Sequence, residues 1–486
     1  MTRILFGSYE PDIASVMTGN TSYVNNVFPR SDGYGPIKSL VEFTEALPSA
    51  CLGYFGGTNQ DGSSAIFAGT ATNLYRLNAT TRAWDSVSKS GGYNVSTGEY
   101  WSFTQFGNTI IAVTSNNNPQ AFTLGSSSIF ADLGGSPPQA RNVSIVGDFV
   151  VLSSLTSTPN RIHWSGLNDP TFWTVGTNNC DYQDFPDGGF VRGLSGGEYG
   201  IVLQDRAIRR MVFSPGSSII FQFQRISEDR GIIAPNSIAK AHAATFFLSQ
   251  DGFYRIGADG QLAPIGANRV DATIFADADL SNNRFMVATA DPVSKRIIWA
   301  YKSNNNTNPA FLDKMVIYDW SLDKWSPAEI NTTYLGPVVP LFTTLESLDA
   351  VATIDALAYP LDTYTATVTP SLAAMTRDWR LAFFSGPNVE ATMDTPEGTI
   401  GDGKRIFVNA VSPITDATSA YVAMESRERL MDARAFDAEK VISTRSGYAP
   451  TRSSGRYLTA RVRIPAGTNW NYARGIEFDS AQDGRR

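Results

Sequence analysis

The chain has 486 residues, 42% hydrophobic and 12% aromatic, enough to bury a large core and longer than a single domain usually runs. Its net charge of −7 argues against tight, salt-sensitive phosphate binding, which needs clustered Lys and Arg. With only Cys51 and Cys180, neither a disulfide framework nor a cysteine-built zinc cluster can form. Gly and Pro are plentiful and amphipathic stretches of helical length are scarce, so a mainly β protein is expected. The first residues, Met1 to Ser8, lack the pattern of a signal peptide, and no apolar run reaches membrane-spanning length. A soluble protein made inside the producing cell is the expectation.

Residues 1–40 read as an extended N-terminal arm, because the stretch Asn25 to Pro36 holds two Pro, two Gly and alternating aromatics. Such a ribbon has little core of its own and is expected to order against a neighbour.

Residues 41–330 read as a β-propeller-like body. Leu74-Tyr75-Arg76-Leu77-Asn78 runs through a polar turn to Trp84, and Val316-Ile317-Tyr318-Asp319 runs through a similar turn to Trp325. In both copies the turn-opening Asn or Asp precedes the Trp by six residues. A looser copy begins at Phe253 and turns at Gly257 to Gly260. A second unit, a tight turn feeding a buried strand, occurs at Gly107-Asn108 and at Gly147-Asp148. Those glycines are 40 residues apart, the period of four-stranded propeller blades. One such blade cannot bury its own apolar face, so five to seven are expected to stack in a ring.

Residues 331–486 read as a C-terminal β-rich region that completes or flanks the propeller. Glu425 to Lys440, with Leu430, Met431, Ala435 and Phe436 at near-helical spacing, is its one helix candidate. Arg456 to Pro465 alternates long polar and apolar residues, which predicts a strand with a cationic outer face. From Gly401 onward there are 14 Lys and Arg against 10 Asp and Glu, a net of +4, so residues 1–400 carry −11.

Candidate chemistry is sparse. Gly193-Leu194-Ser195-Gly196-Gly197 fits a nucleophile elbow, and Asp205 or Asp229 with His242 would complete a hydrolase order. The elbow needs a helix after the Ser, whereas Tyr199 to Leu203 reads as a strand, so a hairpin turn is the better reading. His163, in Arg161-Ile162-His163-Trp164, reads as a satisfied strand residue. Asp277-Ala278-Asp279 imitates the start of a calcium loop but lacks the Gly and the Glu that an EF-hand requires. Gly401-Asp402-Gly403-Lys404 lacks the spacing of a phosphate-binding loop. Asp319 and Asp323 beside Trp320 and Trp325 would suit a propeller enzyme acting on carbohydrate, but both Asp residues flank one turn that their own side chains can cap. No catalytic residue, metal ligand or cofactor site is therefore assigned.

Three segments carry a resemblance: the arm Phe28-Pro29-Arg30-Ser31-Asp32-Gly33-Tyr34-Gly35-Pro36, the Phe67 to Trp84 blade, and the end of the chain with Arg461-Val462-Arg463-Ile464-Pro465, Trp470, Gly475 and Gly484-Arg485-Arg486. Together they resemble the tail hub or nozzle proteins of short-tailed bacteriophages, the packaged-DNA stabilisation proteins, across the whole chain. The resemblance implies a non-enzymatic virion subunit, assembled in the host cytoplasm into a homohexameric ring beneath the portal and its adaptor. It implies surfaces for tailspikes or fibres and for a tail needle, and a channel that passes double-stranded DNA without sequence-specific binding. On that reading Phe28, Pro29, Arg30, Tyr34, Arg456, Arg461 and Arg463 contact a neighbouring subunit or the adaptor, and the acidic body lines the lumen. The alternatives are the carbohydrate-active propeller and a generic propeller interaction module.

Overall fold

A computed structural model describes residues 2–16, 18–339, 370–399 and 404–482. Among them the regular secondary structure is nearly all strand, and the sheets are antiparallel. Five consecutive four-stranded meanders follow one another: blade 1 (Tyr54–Ser86), blade 2 (Ser102–Asp132), blade 3 (Ala140–Asp184), blade 4 (Val191–Ser227) and blade 5 (Ala239–Pro264). Blade 6 starts at Met286 and ends in a 15-residue strand, Lys324–Val338. That strand serves two blades. Its first half pairs with Leu312–Asp319, and after a register shift at Thr332/Tyr334 its second half pairs with Ser371–Thr376 and opens blade 7. Leu381–Asn388 follows, and the outer strand of blade 7 comes from the other end of the chain, Lys38–Glu42.

Among the described residues seven blades close a ring. Apolar clusters join blades 2 and 3 (Val113 to Val150), 3 and 4 (Phe149 to Met211), and 4 and 5 (Leu203 to Phe247). Blade 5 meets blade 6 through Phe253 against Trp299 and Trp325, and blade 7 meets blade 1 through Ala373 and Met375 with Tyr54 and Ile66. The Tyr54 hydroxyl lies 2.9 Å from Gly336 O and 2.6 Å from Ala373 O, which ties the first inner strand to the last blade.

The repeated aromatic hairpin is the same turn twice. Asn78 Oδ1 accepts from the amides of Thr80 and Thr81 at 3.0 and 3.1 Å, and Asp319 Oδ1 accepts from those of Ser321 and Leu322 at the same two distances. Four residues after the capping side chain, Arg82 and Asp323 both take a left-handed backbone, φ 54° and 53°. The Trp that follows faces inward: Trp325 is 1% exposed and its Nε1 donates to Ile265 O at 3.1 Å, while Trp84 Nε1 donates to Glu45 O at 3.0 Å.

Two further sheets pack as a β-sandwich. The first has the order Val27–Arg30, Gly33–Pro36, Ala473–Gln482, Ile406–Thr415, Ala449–Gly455, with Thr2–Leu5 also on Ala473–Gln482. The second has the order Val24–Asn25, Ala391–Asp394, Tyr457–Ile464, Tyr421–Arg427, Lys440–Val441. Val27, Tyr34, Val408 and Phe478 of the first share a buried cluster with Met393, Val422 and Val462 of the second, and that cluster runs on into blades 5 and 6.

Two expectations are corrected. The strands Thr2–Leu5, Val24–Asn25, Val27–Arg30 and Gly33–Pro36 order against the chain's own sheets, where Val24, Val27 and Tyr34 are core residues. The segment Glu425 to Lys440 is not a helix: it begins inside the strand Tyr421–Arg427, turns, and ends in Lys440–Val441. Its spacing found no surface to bury against, since Leu430 and Met431 are exposed. Side-chain anchors hold the loop instead, with Arg427 Nη1 donating to Leu430 O at 2.5 Å and Arg434 paired with Glu425 at 2.8 Å.

Candidate functional site

The inner strands surround an axial cavity of about 450 Å³, within the range of ligand pockets. Its wall comes from seven places in the chain: Phe55 of blade 1, Glu99 and Phe103 at the entry to blade 2, Arg141 with Asn142 and, further on, Ser154 to Pro159 of blade 3, the rim Phe190 to Arg192 of blade 4, Asn236 before blade 5, and Tyr334 at the start of blade 7. A smaller space of about 170 Å³ continues it and shares Asn142, Asn236 and Tyr334.

Two guanidinium groups dominate its electrostatics. Arg141 Nε donates to Glu99 Oε1 at 2.9 Å, and Arg192 Nε donates to Asp205 Oδ1 at 2.5 Å. Asp205 also accepts from the Phe190 amide at 2.8 Å, so one carboxylate sets both rim residues. Blades 3 and 4 are laced together beneath them. Asn142 Nδ2 donates to Arg192 O at 2.9 Å and to Ser154 Oγ at 3.1 Å, and the Ser154 hydroxyl donates to Val191 O at 2.7 Å. Ser154 reaches that acceptor from a left-handed backbone, φ 55°, a conformation that costs about 1 kcal/mol or more. Sequence reading missed Arg141 and Arg192. The available signal was a charged residue near the start of each inner strand, in Ala140-Arg141-Asn142-Val143 and Val191-Arg192-Gly193-Leu194.

The residues weighed for catalysis lie elsewhere or are occupied. Ser195 ends the strand Val191–Ser195, is followed by the strand Gly200–Gln204, and its Oγ lies 2.9 Å from Thr245 Oγ1. His242 sits in the turn between Ala239–Ala241 and Ala244–Ser249, its ring 6.3 Å from Trp320, and Asp205 is taken by Arg192. Asp277 accepts from Lys314 Nζ at 2.8 and 2.9 Å, and Asp279 accepts from Lys302 Nζ at 2.8 Å, so each carboxylate has its own lysine. Lys302 and the Ser281 hydroxyl hold Asp279 down at about 2. Among the described residues no group of three or more His, Cys, Asp or Glu is placed to hold a metal ion. Asp319 caps its turn, Asp323 pairs with Arg269 at 2.8 Å, and both belong to the outermost hairpin of blade 6, away from the axial wall. Residues 401–403 lie outside the described residues.

One pairing was not foreseen. His163 Nε2 lies 3.8 Å from Cys180 Sγ, because Arg161–Trp164 pairs with Asp181–Asp184 and brings Cys180 beside the ring. Burial raises the thiol to about 11, while burial and Arg161 lower His163 to about 4. Both groups are neutral near pH 7, the opposite of an activated thiolate pair. His163 takes its proton near its ordinary value in the unfolded chain but only near 4 in the folded one, so acidification through that window removes stability. Asp271, raised by burial to about 6, acts with the opposite sign and loses stability as pH rises through that value. Thermal melts at pH 7 and 4.5 are expected to show a smaller acid loss in His163→Gln than in the parent chain. An equal loss removes His163 from the account.

The residues expected at intermolecular contacts have these places. Pro29 and Tyr34 are buried, with the Tyr34 hydroxyl donating to Gly7 O at 2.8 Å. Phe28 lies under Arg296, 4.1 Å from guanidinium to ring centre, and Arg30 Nη1 donates to Asn471 O at 3.1 Å. Arg461 forms a two-point pair with the buried Asp394 at 2.7 and 2.8 Å, and Arg463 pairs with Glu390 at 2.9 Å and Glu439 at 2.5 Å. Their strand is central in its sheet, so their charges are matched inside the subunit. Arg456, 3.7 Å from Glu428, remains half exposed.

No protein-family model and no curated protein sequence matches the chain. Solved structures do resemble it at low similarity. BamB from Moraxella catarrhalis is 11% identical with a TM-score of 0.38, covering 74% of this chain and 92% of its own. The N-terminal domain of Nup159 is 11% identical with a TM-score of 0.39, covering 74% and 97%. The computationally designed Ika8 protein is 8% identical with a TM-score of 0.38, covering 78% and 99%. The chain is a β-propeller with an attached sandwich, and the strand pairings above carry that statement. Among the described residues, no helix is long and apolar enough to cross a membrane.

Proposed function

We propose that the chain is a non-enzymatic structural subunit of a virion, the tail hub or nozzle of a short-tailed bacteriophage. In this role it forms a homohexameric ring that extends the DNA channel below the portal and adaptor, retains packaged DNA, and docks tailspikes or fibres. The observation that carries the reading is that the two ends of the chain on which the resemblance rests form one unit. Tyr34 pairs with Ala473, Arg30 reaches Asn471, and Arg461 and Arg463 lie in the facing sheet of the same sandwich. A sandwich fixed to a rigid propeller gives two differently built bodies per subunit, which suits a part that meets one partner above and others at its side. Ser195, Asp277, Asp279 and Asp319 add support, since each is held by a structural partner. Native mass spectrometry of the purified chain is expected to show a closed hexamer. A monomer at every concentration tested would sink the reading.

A further inference from the structure

We propose that the mouth of the axial cavity is a carboxylate-binding site, built by Arg141 and Arg192 and faced by the rim aromatic Phe190. Each guanidinium is fixed by its Nε, Arg141 on Glu99 and Arg192 on Asp205. No described hydrogen bond uses the terminal nitrogens of either, and both side chains are about 40% accessible, 40% and 41%. A guanidinium held in this way presents a planar fork already oriented, so less side-chain entropy is lost when a carboxylate binds. The two forks come from neighbouring inner strands that Asn142 locks together through Arg192 O.

Charge selects the class of anion. Glu99 and Asp205 already balance the two guanidinium groups, so the site sums to zero, and a monoanion adds less unbalanced charge there than a dianion. Shape adds a second requirement. Phe190 is 48% exposed with the Arg192 guanidinium 5.5 Å from its ring centre, and Phe55 stacks on Phe103 at 6.1 Å in the same wall. An apolar or ring-bearing group attached to the carboxylate would cover Phe190, whose exposure otherwise costs hydrophobic free energy. The same chemistry can come from an acidic side chain next to an aromatic one in a polypeptide, or from a free ring acid. This site needs one subunit only and does not depend on ring assembly.

Isothermal titration of the full chain tests it with four probes: acetyl-Glu-Trp-amide, its neutral match acetyl-Gln-Trp-amide, glucuronate and inorganic phosphate. The acidic dipeptide or glucuronate is expected to bind at least tenfold more tightly than the neutral dipeptide and than phosphate, and the tighter of the two assigns the source. Arg141→Gln and Arg192→Gln are each expected to weaken that binding at least tenfold, with melting temperatures measured to show that the fold is kept. Phe190→Ala, which keeps both guanidinium groups and their carboxylates, is expected to weaken it several-fold. Equal binding of the neutral dipeptide, tighter binding of phosphate, undiminished binding by both folded arginine variants, or no binding of any probe at millimolar concentration would each overturn the proposal.

Discussion

Removal of residues 1–42 is expected to leave a chain that does not fold. The deletion takes four strands from the sandwich, Thr2–Leu5, Val24–Asn25, Val27–Arg30 and Gly33–Pro36, and the outer strand of blade 7. It also removes Phe6, Tyr9, Val24, Val27, Tyr34 and Ile37 from buried clusters. At about 1.5–3 kcal/mol for each large apolar side chain, their loss totals roughly 9–18 kcal/mol, as large as the whole stability of an ordinary domain. Gel filtration and far-ultraviolet circular dichroism of the truncated chain should show aggregation or a disordered spectrum. A monodisperse product melting within a few degrees of the full chain would show that the first strands are accessory.

The second large effect is electrostatic. Arg427 and Glu397 form a two-point pair at 2.5 and 2.6 Å, with side chains 9% and 2% exposed, between the strand Tyr421–Arg427 and the residues following Ala391–Asp394. Taking two charges out of water is costly, and their attraction offsets that cost only while both are present. Glu397→Ala leaves a buried guanidinium without its counter-charge, which costs about 3–5 kcal/mol. The double change Glu397→Gln with Arg427→Met removes both charges and is expected to be much milder. Denaturant titration of the three chains checks this order, and a double variant as unstable as the single one would contradict it. Exposed pairs such as Arg429 with Asp432, screened by solvent, should contribute far less.

The contrast between local and distant information explains what could be read in advance. The hairpins at Asn78 and Asp319 announce themselves because cap, left-handed residue and Trp lie within seven consecutive positions. Gly107-Asn108 and Gly147-Asp148 are two-residue hairpin loops, again a local matter, with Phe106 opposite Thr109 and Val146 opposite Phe149. Blade 7 has no such signature, since its strands come from Lys38–Glu42, the far half of Lys324–Val338, and two strands after residue 370. The arm was misjudged for the same reason: Pro and Gly show that it is extended but not which strand it will meet. Arg141 and Arg192 belong to no motif, and only the closing of the ring brings them to one cavity.

The strand Lys38–Glu42 pairs with Leu381–Asn388, so its partner is made 339 residues later, counted from Glu42 to Leu381. At synthesis speeds of about 5–20 residues per second the nascent chain waits roughly 20–70 s between emergence of the first strand and arrival of its mate. During that interval the early blades have no seventh blade against which to bury Tyr54 and Ile66. The half-made propeller therefore presents an open apolar flank and a loose strand to its surroundings, the species on which holding chaperones act and from which misassembly between chains begins.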